Sequence, residues 1–178
     1  MKRVSQYGSR SLFLIFFLFI LLTGCAPVIS QNLRTQADLT LTFEQVFQNP
    51  EAYKGKFVIW GGEIIETVNQ KDKTSLIEVL ERPLNRREEP NRMGRSPGRF
   101  LVRAEGYLDP YIFRRGRGIT VAGKMMGEKT RPLGEMEYRY PLLLSKQIYL
   151  WGSRYYYYYP PPYYSYYPWG WWGYPYWW

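Results

Sequence analysis

The spacing of apolar residues changes along this chain, and each change marks a different kind of element. Leu12 to Leu22 is an unbroken apolar run of eleven residues, followed by the small residues Thr23 and Gly24. That length fits the core of an export signal, about 7–15 residues, and falls short of the roughly 20 needed to cross a bilayer as a helix. An uncleaved membrane anchor is the alternative reading of the same run. Residues 26–40 are polar, lack a clear period and read as a tether. Phe43, Val46 and Phe47 then fall at i, i+3 and i+4, one buried stripe of a short helix. Thr42, with Gln45 three residues on, matches a capping box that opens it. Asn49-Pro50 closes it, because the residue before a proline is pushed out of helical geometry.

From Gly55 onward the pattern is that of strands. Phe57 to Ile65 is apolar on both faces, as in a strand covered on both sides, with Gly61-Gly62 expected to form a bulge or tight bend. Leu76 to Glu81 is a second strand. In the third, Phe100, Val102 and Ala104 alternate with Arg99, Leu101 and Arg103. In the fourth, Ile119, Val121, Gly123 and Met125 alternate with Thr120, Ala122, Lys124 and Met126. The fifth begins with Met136, Tyr138 and Tyr140 opposite Glu135, Glu137 and Arg139. Pro141 is expected to interrupt it, at a bend or an edge, before it resumes toward Trp151. Between the third and fourth, Asp109 as N-cap, Pro110 at the first helical position, Arg114 and Arg115 late and Gly116 closing spell one short helix. That order is the order of an OB-fold, a five-stranded Greek-key barrel. The expected fold is mainly β: a small five-stranded OB-like barrel over residues 41–151 with one or two short helices. A flatter β-sandwich or an incomplete barrel is the competing arrangement.

The N-terminus adds a location. Lys2, Arg3 and Arg10 precede the apolar run, and no acid occurs before Asp38. Leu22-Thr23-Gly24-Cys25 resembles the lipobox of bacterial lipoproteins. The resemblance implies removal of a signal peptide, residues 1–24, and lipid attachment at Cys25. It also implies a diacylglycerol thioether and an amide-linked fatty acid such as palmitate on that residue, with 25–40 as the lipidated tether. Each buried methylene contributes about 0.8 kcal/mol, so one acyl chain holds a protein marginally and several hold it firmly. Ala26 stands where an aspartate would favour inner-membrane retention, which by the same resemblance points to the outer membrane.

Composition then removes function classes. There is no histidine, and Cys25 is the only cysteine. The commonest general base and metal ligand is therefore missing. A lipidated Cys25 leaves no thiol for a disulfide, a zinc cluster or a nucleophile. No metal and no cofactor beyond the covalent acyl chains is expected. Glu63, Glu66, Glu78, Glu135 and Glu137 lie on or near strands, but nothing in their spacing sets two of them face to face as a glycosidase requires. Glu78 and Glu137 read as surface or rim residues. Gly61-Gly62 and Gly116-Arg117-Gly118 do not match phosphate-loop spacing. With no catalytic constellation to start from, the chain reads as a non-enzyme.

The formal net charge is +9, and three of those positive charges leave with the signal. Ten arginines lie between Arg82 and Arg117, against Glu88, Glu89, Glu105 and Asp109. Arginine's planar fork suits phosphate and carboxylate, and a basic patch concentrates anionic partners. Arg86, Arg87, Arg92, Arg95, Arg114, Arg115 and Arg117 are the candidate contacts, with lipopolysaccharide, anionic lipid or peptidoglycan as envelope partners. The plainer reading is a solvated loop whose charges serve solubility. Basic OB-folds with aromatics commonly bind single-stranded nucleic acid, but an exported chain is not expected to meet it.

Residues 152–178 form a Tyr/Trp/Pro-rich low-complexity tail, with five consecutive tyrosines after Arg154. Its prolines prevent a regular helix or central strand, and it is expected to be disordered. Tyr155, Tyr156, Tyr157, Trp169, Trp171, Trp172, Trp177 and Trp178 are candidate contacts to a membrane interface or to glycan rings. A self-associating tail without a defined ligand is the third reading.

A family resemblance runs through the chain in order. It is carried by Cys25-Ala-Pro-Val-Ile-Ser, Leu41-Thr-Phe-Glu, Asn49-Pro-Glu-Ala-Tyr-Lys-Gly-Lys and Leu76-Ile-Glu-Val-Leu-Glu-Arg-Pro-Leu. Gly98-Arg-Phe-Leu-Val, Leu108-Asp-Pro, Ile119-Thr-Val-Ala-Gly and Glu137-Tyr-Arg-Tyr-Pro continue it. These resemble the Slp family of starvation-inducible outer-membrane lipoproteins, from about Leu22 to Trp151, with the aromatic tail outside the resemblance. It implies an outer-membrane lipoprotein of Gram-negative bacteria with no catalytic residues to carry over, and the expected protein is lipid-anchored on the periplasmic face and linked to starvation or stress tolerance. The alternative is a binding module for an anionic envelope glycan or lipid.

Overall fold

The structure is a computed structural model that describes residues 26–152. Two short helices, α1 (Gln31–Gln36) and α2 (Phe43–Gln48), and a 3-10 turn (Pro50–Tyr53) precede five strands. The strands are β1 (Phe57–Asn69), β2 (Thr74–Glu81), β3 (Arg99–Glu105), β4 (Gly118–Leu133) and β5 (Met136–Leu150). They close in the order β1-β2-β3-β5-β4 and back to β1. All pairings are antiparallel except β3 with β5, a short parallel seam from Leu101↔Leu142 to Arg103↔Leu144. This is the OB connectivity, and full closure decides against a sandwich or an incomplete barrel.

The alternation expected from the sequence fills the interior. Ile77 and Val79 of β2, Phe100 and Val102 of β3, Ile119, Val121 and Met125 of β4 and Leu143 of β5 share one core with Val58, Trp60 and Ile64. The capping box forms as read, with Thr42 Oγ1 accepting from Gln45 N and Gln45 Oε1 accepting from Thr42 N. It aims α2 at the barrel mouth. There Phe43 and Val46 are buried, and Phe43 packs 5.1 Å from the Trp60 ring, which meets Phe100 edge-on at 5.5 Å. Full burial of a side chain of Phe43's size is worth about 2–3 kcal/mol.

Four expectations are corrected. The segment from Asp109 to Gly116 makes one turn rather than a helix. Asp109 caps it through Tyr111 N and Phe113 N, but Gly116 N donates to Ile64 O and Ile64 N donates to Arg117 O, drawing the chain into β1 pairing before a second helical turn can form. Its Leu108 and Phe113 still pack on the core. Second, Gly61 and Gly62 are not a bulge; the register shift falls between Ile64 and Glu66. The glycines permit close approach, since a Cβ on Gly62 would lie 2.0 Å from Leu80 O and one on Gly61 2.6 Å from Leu84 Cδ2. Third, β5 runs unbroken through Pro141. Pairing with β3 starts at Leu142, so the proline occupies a stretch hydrogen-bonded to β4 alone, an edge where a missing N–H is tolerated.

The fourth concerns residues 26–40, which are less of a free tether than their polarity suggests. Ile29 is 2% exposed. Ser30 N donates to Gln147 Oε1, Gln147 Nε2 donates to Val28 O, and Asp38 N donates to Phe57 O. From Val28 onward the segment lies against the barrel.

Candidate functional site

The long β2–β3 connection organises the most distinctive part of the surface. Asn85 Oδ1 accepts from the backbone N–H groups of Arg87 and Glu89, and Asn85 N donates to Glu89 O, folding residues 85–89 into a tight turn. Asparagine favours such turns because its side chain bonds its own backbone two residues on. Glu88 takes a left-handed conformation (φ 64°) within it, which sends its side chain inward. Glu88 Oε2 accepts from Ile29 N at 2.8 Å, and Oε1 pairs with Arg34 Nη1 at 3.3 Å. The Glu88 carbonyl accepts from Thr120 Oγ1 at 2.6 Å, and Thr120 Oγ1 accepts from Trp151 Nε1 at 2.9 Å. One connected chain of hydrogen bonds thus joins the N-terminal segment, the arginine-bearing loop, β4 and the residue that precedes the aromatic tail.

The candidate arginines divide by location. Arg86, Arg87, Arg92, Arg95, Arg114 and Arg115 are exposed, and Arg117 is half-buried. Arg92 Nη2 donates to Gly116 O at 2.8 Å, so the β2–β3 loop meets the turn that carries Arg114 and Arg115. Arg117 is occupied structurally: Nε and Nη2 donate to Trp151 O at 3.2 and 2.7 Å, and Nη1 donates to Ile112 O at 3.0 Å. A cavity of about 430 Å³ lies beside this junction, lined by Arg92, Met93, Asn91, Gly118, Trp151 and Gly152 among others. Arg95 stands apart, on a different cavity. Cys25 and the tail candidates Tyr155, Tyr156, Tyr157, Trp169, Trp171, Trp172, Trp177 and Trp178 lie outside the described residues.

That second cavity, about 260 Å³, is lined by Phe43, Glu44, Trp60, Glu81, Leu84 and Arg95 among others. Glu81 is 8% exposed, and its Oε2 has no hydrogen-bond partner. Burial, and after it the charge of Glu44, push the Glu81 carboxyl up to about 7, against a smaller lowering by Arg82. Glu81 shares the parity of Ile77 and Val79 along β2, and that alternation was the available sign that it turns inward. Glu88 offered no such sign, because it sits in a loop. Glu78 is not a surface residue as expected: it is buried, paired with Arg99 Nη1 at 2.7 Å and 3.4 Å from the Tyr140 hydroxyl. Glu137 is exposed. Among the described residues no group of three His, Cys, Asp or Glu side chains could hold a metal ion. No helix among them is long and apolar enough to cross a membrane.

Comparison with known proteins adds a family. The profile described as the outer membrane lipoprotein Slp family matches residues 22–178, so the match continues past Trp151 through the aromatic tail. Outer membrane protein Slp of Escherichia coli (strain K12) is 30% identical over 143 residues, 79% of this chain and 74% of that protein. Lipoprotein YeaY of the same organism is 28% identical over 124 residues, 70% of this chain and 63% of its own length. Among solved structures, the mitochondrial single-stranded DNA binding protein Rim1 of S. cerevisiae aligns at 15% identity and a TM-score of 0.34. That alignment covers 55% of this chain and 95% of Rim1, and the likeness is too coarse to bear on what this chain binds.

Proposed function

This chain belongs to the outer membrane lipoprotein Slp family, and from that premise we propose that it is a non-catalytic envelope component held by acyl chains on Cys25. It is an outer-membrane lipoprotein. In our reading the barrel sits on the periplasmic face, close to the leaflet, and contributes to envelope structure under starvation or stress. The observation that supports this is the docking of Val28–Ser30 on Gln147 and Glu88, which leaves a short path between Cys25 and the folded domain. A domain so tied is positioned at the membrane and cannot range across the periplasm. Changing Cys25→Ala tests it by fractionation: the protein should leave the membrane fraction for the soluble one. Retention in the membrane fraction would sink the lipid-anchor reading.

A second reading is supported by a separate observation. Arg92's bond to Gly116 brings two basic loops together beside an open cavity, which suits a binding module for an anionic lipid or glycan. Binding carried by those arginines should weaken steeply with salt, since the screening length falls from about 8 Å at physiological ionic strength to about 3 Å at 1 M.

A further inference from the structure

We propose that one pole of the barrel is a membrane-docking face for anionic phospholipid. It is formed by the β2–β3 loop, the turn before β4 and Trp151. The inference deepens the reading above and rests on lipidation of Cys25.

Three observations place this pole at the leaflet. Cys25 is four residues from Ile29, a span of at most about 14 Å when fully extended. Ile29 N is bonded to Glu88, so the lipid end is held within that reach of the turn that carries Arg86 and Arg87. Trp151 joins the same hydrogen-bonded chain through Thr120. The tail that continues from it is rich in Tyr and Trp, residues that favour the membrane–water boundary. Both ends of the chain beyond the described residues therefore leave from one side of the barrel.

The chemistry of that side suits a headgroup layer. Arg86 and Arg115 are exposed, and Arg92 is exposed with one N–H committed to Gly116 O. Of the acids in the turn, Glu88 is taken by Arg34 and Ile29 N and Glu89 is half-buried. Met93, next to Arg92, is 96% exposed. An apolar side chain among exposed arginines is the pattern of an interfacial contact, in which the chain enters the acyl boundary and the guanidinium groups meet phosphate. The β4–β5 hairpin, with Met136 61% exposed, lies at the opposite end of β5 from Trp151 and serves as the internal control.

The test uses the full lipidated protein with an environment-sensitive nitrobenzoxadiazole probe on Met93→Cys, the one thiol left free when Cys25 is acylated. The protein is reconstituted into vesicles of phosphatidylcholine, with or without phosphatidylglycerol, and read by flotation and fluorescence. The expected result is flotation with both vesicles, and a blue shift with severalfold protection from iodide quenching only when phosphatidylglycerol is present. High salt should reverse the shift. The same probe on Met136→Cys should stay aqueous throughout. Combining Arg86→Glu, Arg92→Glu and Arg115→Glu should leave flotation intact and abolish the shift at position 93. Flotation with an unshifted Met93→Cys probe in anionic vesicles overturns the docking face while leaving the anchor standing. An equal shift at position 136 also overturns it, as does loss of the shift when residues 153–178 are removed, which would move the contact to the tail. Failure to float would sink the anchor, and the face with it.

Discussion

Glu81 and Glu88 are equally hidden, each 8% exposed, yet their surroundings treat them in opposite ways. Glu88 has a backbone N–H and a guanidinium waiting for it and fastens the N-terminal segment to the barrel. Glu81 faces an aromatic-lined cavity with one oxygen unpartnered and Glu44 nearby, and its carboxyl titrates near neutrality. Burial by itself therefore does not set the state of a carboxyl. The donors that the fold brings to it make Glu88 a clasp, while burial without such donors pushes the Glu81 carboxyl up.

Removing the clasp should have the largest effect. Glu88→Ala leaves Ile29 N and Arg34 unpaired at a mostly buried site, a loss of about 3 kcal/mol. Urea denaturation should show that loss, and limited proteolysis should show new cleavage between residues 28 and 40. Unchanged cleavage would mean the segment is held elsewhere.

The next effect depends on pH. Glu81 in the folded protein titrates at about 7 against an ordinary value of 4.5, so between those values the folded state holds a proton that the unfolded state has released. Its contribution is full below pH 4.5 and is lost as pH rises through 7. Glu81→Gln should therefore match the parent near pH 4 and be more stable by about 2 kcal/mol at pH 8, allowing for solvent at the cavity mouth. Parallel denaturation curves at the two pH values check this, and an equal difference at both would refute the assignment.

Arg34→Ala is a milder cut at the clasp. It deletes the partly exposed ion pair and keeps the Ile29 N–H bond, so about 1 kcal/mol is expected, with slower proteolysis of residues 28–40 than in Glu88→Ala. The smallest effect isolates a single charge. Glu44→Gln should move the Glu81 midpoint downward, read from its carboxyl carbon by NMR, because the like charge that helps raise it is gone.

Much of the barrel could be read locally. The Thr42–Gln45 cap, the Phe43/Val46/Phe47 stripe and the alternation in β3 and β4 each depend on neighbours a few positions away, and each stands where the pattern placed it. The turn at Asp109 was half legible. Its cap formed, but competition from β1 for Gly116 and Arg117 lay outside any local window. Pro141 was legible as an edge residue and not as part of an unbroken strand, because that depends on where β3 stops pairing.

The sequence by itself determined the family and the order of strands along the chain, since these are carried by period, spacing and motif. Only the tertiary structure decided that α2 plugs the barrel mouth. It also decided that Glu78 is buried with Arg99, that one carboxyl oxygen of Glu81 lacks a hydrogen-bond partner and that residues 28–38 are docked. The reason is distance along the chain: Ile29 meets Glu88 across 59 residues and Ser30 meets Gln147 across 117. A carboxyl's solvation, or a polar segment's freedom, is set by groups that only chain closure brings together.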